Sequence, residues 1–143
     1  MSDSLFIIDT NVLAAGLITS EADSPTAKIV DAMLDGSLFY LLSPELLQEY
    51  RSVLQRPKLS RRHGLSESEI NQLLTEITAN AIWRESLPDS VHLSPDPGDA
   101  HLWALLGSEP SAVLITGDRL LIEQPMPHRS VITPATWLNH FAI

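Results

Sequence analysis

Cysteine is absent from the 143 residues of this chain. Without a thiol, the protein cannot form a disulfide framework, a thiolate zinc site or a cysteine nucleophile. The N-terminal segment has no basic stretch before its short apolar run, and no run approaches the ~18 apolar residues that a membrane helix needs. These absences predict an unprocessed protein of the reducing cytoplasm with no membrane partner.

Basic residues are also scarce. Nine Lys and Arg face 18 Asp and Glu, and the formal net charge is −9. This balance argues against binding of nucleic acid through the field of the whole surface. A carboxylate cluster built for divalent cations would account for part of the acidic excess. The basic side chains are concentrated, since five of the nine lie within twelve residues: Arg51, Arg56, Lys58, Arg61 and Arg62. Taken alone, this segment is explained at least as well by a solvated helix end and loop.

Short apolar runs predict four buried strands, at residues 5–8, 38–42, 112–115 and 130–132, and a weaker pattern predicts a fifth at 82–85. Continuous apolar runs are typical of strands covered on both faces. Caps mark most of the helices between them. Ser24, Ser43 and Thr133 each precede a proline, as at many helix starts, and Ser66 with Glu69 makes a capping box for a helix to about residue 79. Further helices are predicted from residue 12 and over 99–106.

Two segments are predicted to be irregular. Pro57 is expected to end the third helix, with a basic linker after it, and residues 87–98 contain enough Pro and Gly to form a loop. The alternation of strands and helices predicts a single α/β domain over residues 1–143, with three α/β/α layers around a mainly parallel sheet of four to five strands. Ligands in such sheets bind at the carboxyl ends of the strands.

Two acidic residues follow predicted strands at that edge. Asp9 comes directly after the first strand, and Asp118 follows Thr116 and Gly117 after a later one. Each has a plainer explanation, because aspartate is a preferred helix N-cap and also suits a turn. The topology nevertheless predicts that the two carboxylates lie close together.

Two more acidic residues lie on predicted helices. At 100° per residue, Glu49 lies at the margin of the apolar face of its helix, and Asp99 lies in the first turn above Leu102. Burial of an unpaired carboxylate costs several kcal/mol, so it calls for a basic partner or a metal. No Lys or Arg occurs between Arg84 and Arg119. A metal site and a plain N-cap both remain open explanations for Asp99.

Carboxylates assembled in this way suit Mg²⁺ or Mn²⁺, which prefer oxygen ligands. One or two such ions, ~4 Å apart when paired, can activate a water and stabilise a departing oxygen. This chemistry hydrolyses phosphodiesters without a side-chain nucleophile.

Five segments together resemble the successive motifs of PIN-domain proteins: 7–13 (IIDTNVL), 43–50 (SPELLQEY), 53–57 (VLQRP), 96–99 (DPGD) and 115–118 (ITGD). They are most similar to the toxin components of type II toxin-antitoxin systems, the VapC-like ribonucleases. The ordered set covers nearly the whole chain.

The resemblance implies a ligand set and an activity. Its catalytic metal ligands would be Asp9, Glu49, Asp99 and Asp118, with Asn11 and Thr116 as polar supports. The implied activity is endonucleolytic cleavage of RNA with one or two Mg²⁺ or Mn²⁺ ions, and the implied partners are an antitoxin protein and a second copy of the chain. Leu120 stands where the family usually has another aspartate, so the resemblance implies at least one ion and does not assure the second.

Cationic residues near these motifs are predicted to hold RNA phosphates: Arg51, Arg56, Lys58, Arg61, Arg62 and Arg119. For Arg119, a surface salt bridge or free charge is the plainer explanation. The five histidines occur singly and lack metal-ligand spacing, so surface or packing roles are expected for them.

Three other interpretations remain. A catalytically weak or inactive PIN-like domain would bind its partner without turnover. A phosphatase of the haloacid-dehalogenase kind would need a second aspartate two residues after Asp9, where Asn11 stands. A receiver-like domain would need adjacent acids after the first strand and a lysine after a late strand, and neither is present.

Overall fold

The computed structural model describes residues 4–85 and 93–142. Five parallel strands form one sheet in the order β3-β2-β1-β4-β5. They are β1 Leu5–Ile8, β2 Phe39–Leu42, β3 Ile82–Trp83, β4 Val113–Ile115 and β5 Ser130–Ile132. Helices cover the sheet, and the predicted three-layer α/β/α fold is confirmed.

Eight α-helices connect the strands of the described part of the chain. They are α1 Thr10–Ile18, α2 Pro25–Asp35, α3 Pro44–Leu54, α4 Pro57–His63, α5 Glu67–Asn80, α6 Ala100–Ser108, α7 Arg119–Glu123 and α8 Pro134–His140. A 3₁₀ turn, Pro97–Asp99, precedes α6. None of the helices in these two ranges is both long and apolar enough to cross a membrane.

The central strands are apolar because both of their faces are covered. Ile7 and Ile8 of β1 and Leu114 and Ile115 of β4 are completely buried. Their register is direct, with Ile7 opposite Leu114 and Ile8 opposite Ile115. The chain builds the sheet outward from β1 in both directions, so the point where the strand order reverses lies between β1 and β4. A crevice at the carboxyl ends of such a strand pair is the usual ligand site of an open α/β sheet.

Caps read from the sequence lie where they were expected. The side chains of Ser24, Ser43 and Thr133 each accept a hydrogen bond from the third residue of the helix that they precede. Ser66 and Glu69 form the complete capping box of α5. These hydrogen bonds satisfy backbone N–H groups that have no partner within the helix.

The prediction of a basic linker after Pro57 was wrong. Pro57 is the first residue of α4. Proline is favourable there because the N–H that it lacks would have no hydrogen-bond partner within the helix. Helix α7 was also absent from the prediction. Four other elements begin one or two residues away from their predicted starts: α1 at Thr10, β2 at Phe39, β4 at Val113 and α6 at Ala100. Part of the predicted loop, residues 87–92, lies outside the described residues.

Helices α1 and α2 pack closely because Gly16 has no side chain. A Cβ at this position would lie 2.5 Å from Thr26 O and 2.5 Å from Val30 Cγ2. Real Cβ atoms almost never approach other atoms so closely, so any larger residue would push the two helices apart.

Candidate functional site

Asp9 lies at the junction of the two central strands. Its N–H donates to Ile115 O of β4 at 3.0 Å, which extends the pairing with β4 beyond the last residue of β1. The residue is only 4% exposed. It occupies the N-cap position of α1, yet its side chain makes no capping hydrogen bond. The plain capping explanation of this carboxylate therefore fails.

Thr116 connects Asp9 with the loop after β4. The Thr116 hydroxyl, completely buried, donates to Asp9 Oδ2 at 2.6 Å and accepts from Asp118 N–H at 3.0 Å. Burial raises the pKa of Asp9, the Thr116 hydrogen bond lowers it, and the nearby charges of Glu49 and Asp118 raise it; the net shift is upward.

Asp118 does make a capping hydrogen bond. Its Oδ1 accepts from Leu120 N–H at 2.9 Å at the start of α7. The turn explanation thus accounts for one of its oxygens. The other oxygen has no hydrogen bond within the described residues, while the charge of Asp118 contributes to the raised pKa of Asp9.

Glu49 is held through both carboxylate oxygens. The Thr10 hydroxyl donates to Oε1, and His101 Nε2 lies 3.2 Å from Oε2. The next residue of α3, Tyr50, is buried and donates its hydroxyl to Ile8 O at 2.6 Å, which fixes the helix to the end of β1. The His101 hydrogen bond holds the pKa of Glu49 below its usual value against the opposing effect of burial, with help from Thr10 and Arg56.

His101 is the site residue that sequence reasoning missed. Its side chain is only 15% exposed, and its Nδ1 is buried with no hydrogen-bond partner among the described residues. Burial lowers the pKa of this imidazole, but the hydrogen bond and charge of Glu49 outweigh burial and raise it. Glu49 and His101 are 52 residues apart, so no local spacing could have paired them.

Asp99 is not a conventional cap either. It occupies the N-cap position of α6 without a side-chain capping hydrogen bond, whereas Asp96 accepts from Gly98 N–H at 2.9 Å as a turn aspartate. Burial raises the pKa of Asp99 to about 6, and the charges of Asp9, Asp96, Glu49 and Asp118 add to the shift.

These mutual effects show that the four candidate acids surround one region at the carboxyl edge of the sheet. In residues 4–85 and 93–142, no group of three or more His, Asp or Glu is arranged to hold a metal ion. The four carboxylates therefore do not converge on a single point.

Residues 6–120 match the family model described as the PIN domain. The chain belongs to the PIN-domain family. The match runs from β1 to the start of α7 and includes all four acids. PIN domains are generally nucleases and typically use divalent metal ions. No curated protein matches the chain.

The chemistry of the donor set fits such an ion in this PIN domain. All four side chains offer carboxylate oxygens, the ligands that Mg²⁺ and Mn²⁺ prefer. Asp9 and Asp118 each use one oxygen for a hydrogen bond within the site, and Asp99 uses neither in the described residues. Glu49 uses both.

The predicted supporting and cationic residues lie around the acids. Asn11 is exposed and makes no side-chain hydrogen bond within the described residues, in contrast to Thr116. Arg56 lies near enough to lower the pKa of Glu49, while Arg51 donates to the Asn71 side chain. Lys58, Arg61 and Arg62 are on α4. Arg119 pairs with Glu123 at 3.2 Å on the surface.

Proposed function

We propose that this PIN-domain chain is a Mg²⁺- or Mn²⁺-dependent endoribonuclease, with Asp9, Glu49, Asp99 and Asp118 as catalytic metal ligands. One observation carries the proposal. Burial and the surrounding acids Asp9, Asp96, Glu49 and Asp118 raise the pKa of Asp99 to about 6. A divalent ion would relieve this repulsion, which is otherwise a cost without benefit to the fold.

Neighbouring hydroxyls orient two of these ligands. Thr116 holds one oxygen of Asp9 and the backbone of Asp118, so the two strand-end acids keep a fixed relation to each other. Thr10 and His101 hold Glu49. A bound ion would supply an acidified water and charge stabilisation at the scissile phosphate. Because the pKa of Asp99 is raised to about 6, its carboxylate can hold a proton in mildly acidic solution when no ion is bound.

RNA is proposed as the substrate, with the acidic site bordered by cationic side chains. The charge of Arg56 helps to lower the pKa of Glu49, and α4, which begins after Arg56, carries Lys58, Arg61 and Arg62. A local cationic border allows phosphate binding despite the overall charge of −9.

The toxin role, an antitoxin partner, a homodimer and a cytoplasmic location are proposed together. Their support is the resemblance of the ordered motifs to the toxin branch of the family and, for the compartment, the absence of cysteine.

The direct test is hydrolysis of a labelled RNA in Mg²⁺ or Mn²⁺, with EDTA as the metal-free arm. Wild type and Asp9→Asn are compared, because Asp9→Asn removes the charge and preserves the shape of the side chain. Asp31→Asn is the matched control, since Asp31 is an exposed aspartate on α2. We expect metal-dependent cleavage by wild type and by Asp31→Asn, and a loss of at least 100-fold in Asp9→Asn.

Equal cleavage by wild type and Asp9→Asn would overturn the assigned mechanism. A crystal soaked in Mn²⁺ tests the ligands independently of turnover. Anomalous density is expected within reach of Asp9, Asp99 and Asp118, and density only elsewhere would remove the site assignment.

A catalytically weak PIN-like binding domain is the second candidate. The observation that favours it is that both oxygens of Glu49 already accept hydrogen bonds, from Thr10 and His101. The same assay separates the two functions. RNA binding without metal-dependent cleavage would select the binding domain.

A further inference from the structure

Two open cavities lie on either side of α1, next to the acidic site. The first, about 460 Å³, is lined by Asp118, Arg119, Thr26 and Pro134 together with α1 residues. The second, about 410 Å³, lies between α1 and α4 and is lined by Ala14, Ile18, Leu59 and Arg62 among others. Each volume suits a small ligand such as a single nucleotide and is too small for a duplex.

Asn11 and Ala15 line both cavities. They lie one helical turn apart on the same face of α1, and both are exposed. The two cavities therefore adjoin along this ridge. Ala15 has only a methyl group, so its side chain presents little obstruction between the two cavities.

An arginine lines each cavity. Arg62 is exposed, and within residues 4–85 and 93–142 no carboxylate lies within ion-pair distance of it. Arg119 pairs with Glu123, but the two side chains are 88% and 60% exposed. Such a surface pair contributes little, so a phosphate can replace Glu123. Ala14, Ile18 and Leu59 contribute apolar surface to the second cavity, which suits the face of an unpaired base.

We propose that a single-stranded RNA crosses α1 over Asn11 and Ala15, with one phosphate held by Arg119 and another by Arg62. The inference rests on the proposed function for the identity of the strand as RNA. Of the six cationic residues predicted to hold RNA phosphates, the proposal retains Arg62 and Arg119, which line the cavities on either side of α1. Arg61, the neighbour of Arg62 on α4, lines neither cavity.

The test is binding of a fluorescein-labelled 12-nucleotide uridine RNA, followed by anisotropy in EDTA at several salt concentrations. Arg62→Ala and Arg119→Ala are each expected to lower the affinity about fivefold at 0.1 M salt and to reduce the slope of log affinity against log salt by about 0.7, the value for one lost phosphate contact on a single strand. Ala15→Leu is expected to weaken binding without changing the slope, because it obstructs the crossing and removes no charge.

Arg61→Ala is the matched comparison, since it removes the same charge from the same helix. We expect Arg61→Ala to lower the RNA affinity by about twofold or less. Equal losses in Arg61→Ala and Arg62→Ala, or no detectable binding by wild type, would overturn the proposed track. Cleavage assays keep this outcome separate from the proposed function. If wild type binds RNA through Arg62 and Arg119 but does not cleave it, the proposed nuclease activity is overturned and the proposed RNA track is supported. If wild type cleaves RNA and both arginine variants bind it with unchanged affinity, the nuclease activity is supported and the track is overturned.

Discussion

His101 Nε2 lies 3.2 Å from Glu49 Oε2, and this pair joins α6 to α3 across the candidate site. Since the Thr10 hydroxyl holds the other oxygen, the Glu49 carboxylate has a single defined orientation. The nitrogen that faces Glu49 must carry a proton to donate. The other ring nitrogen, Nδ1, is buried without a hydrogen-bond partner among the described residues. The cost of burying this unpaired nitrogen offsets part of the stabilisation that the His101–Glu49 pair contributes.

The contribution of this pair to stability should depend on pH. The pKa of Glu49 is lowered from its ordinary 4.5, so its contribution is present above pH 4.5 and is lost at lower pH. The pKa of His101 is raised from 6.5, so its contribution is complete below pH 6.5 and is lost as pH rises through the higher folded value. The difference in the free energy of unfolding between wild type and His101→Gln should be largest between pH 4.5 and 6.5, as measured by urea denaturation.

His140→Gln controls for the loss of an exposed histidine on α8. Its difference from wild type should be small at every pH. A pH-independent difference for His101→Gln would contradict the charged pair.

Asp99→Asn should stabilise the metal-free protein above pH 6. The pKa of Asp99 is raised from 3.8 to about 6, so the folded state binds the proton more tightly than the unfolded state and loses stability as pH rises across this interval. The side chain is partly exposed, and after solvent screening we expect a gain of ~1 kcal/mol for the amide at pH 7, vanishing below pH 3.8.

Added Mn²⁺ provides the complementary measurement. The melting temperature of wild type should rise with Mn²⁺, and that of Asp99→Asn should rise less, because a ligand is missing. Equal increases for both proteins would exclude Asp99 from the ligand set.

Thr116→Val should destabilise the protein by about 1–3 kcal/mol. Valine has nearly the same shape as threonine, but it can neither donate to Asp9 nor accept from Asp118 N–H. Thr116→Ser keeps the hydroxyl and should recover most of the loss. Urea denaturation measures both, with Thr75→Val on the exposed face of α5 as the control. No loss in Thr116→Val would contradict a stabilising role of the hydroxyl.

Gly16→Ala should destabilise the fold by about 1–3 kcal/mol, because the new Cβ meets Thr26 O and Val30 Cγ2 where α1 and α2 pack. Gly117→Ala is the matched control, since nothing lies within 4 Å of a Cβ at that position. It should be neutral or slightly stabilising. Thermal unfolding followed by circular dichroism compares the two variants, and equal melting temperatures would contradict the close packing.

Much of the fold could be predicted from the sequence because its signals are local. Apolar runs identified the strands, and the Ser66–Glu69 capping box identified the start of α5. The missed helix α4 shows the limit of such signals. Pro57 is equally compatible with the end of one helix and the start of the next, and only tertiary contacts decide between them.

The site was predictable to the extent that topology determines it. Asp9 and Asp118 follow strands that proved to be neighbours, so their proximity could be read from the strand ends. The sequence could not show whether their carboxylates act as helix caps, because capping depends on side-chain rotamers. In the structure, Asp118 caps its helix and Asp9 does not. The pairing of His101 with Glu49 depends on how α3 and α6 pack, which no local pattern encodes.

The pairing of β1 with β4 also determines when the site can exist during synthesis. Asp9 and its hydrogen-bond donor Thr116 are separated by 107 positions in the chain. Strand β1 leaves the ribosome long before β4, so it has no neighbour on that side until β4 has been made. A nascent chain that ends before residue 113 therefore carries Asp9, Glu49 and Asp99 without the strand that positions Asp118. The complete acidic site forms only after β4 and Asp118 have been synthesised, and closing this long loop is expected to be among the slower steps of folding.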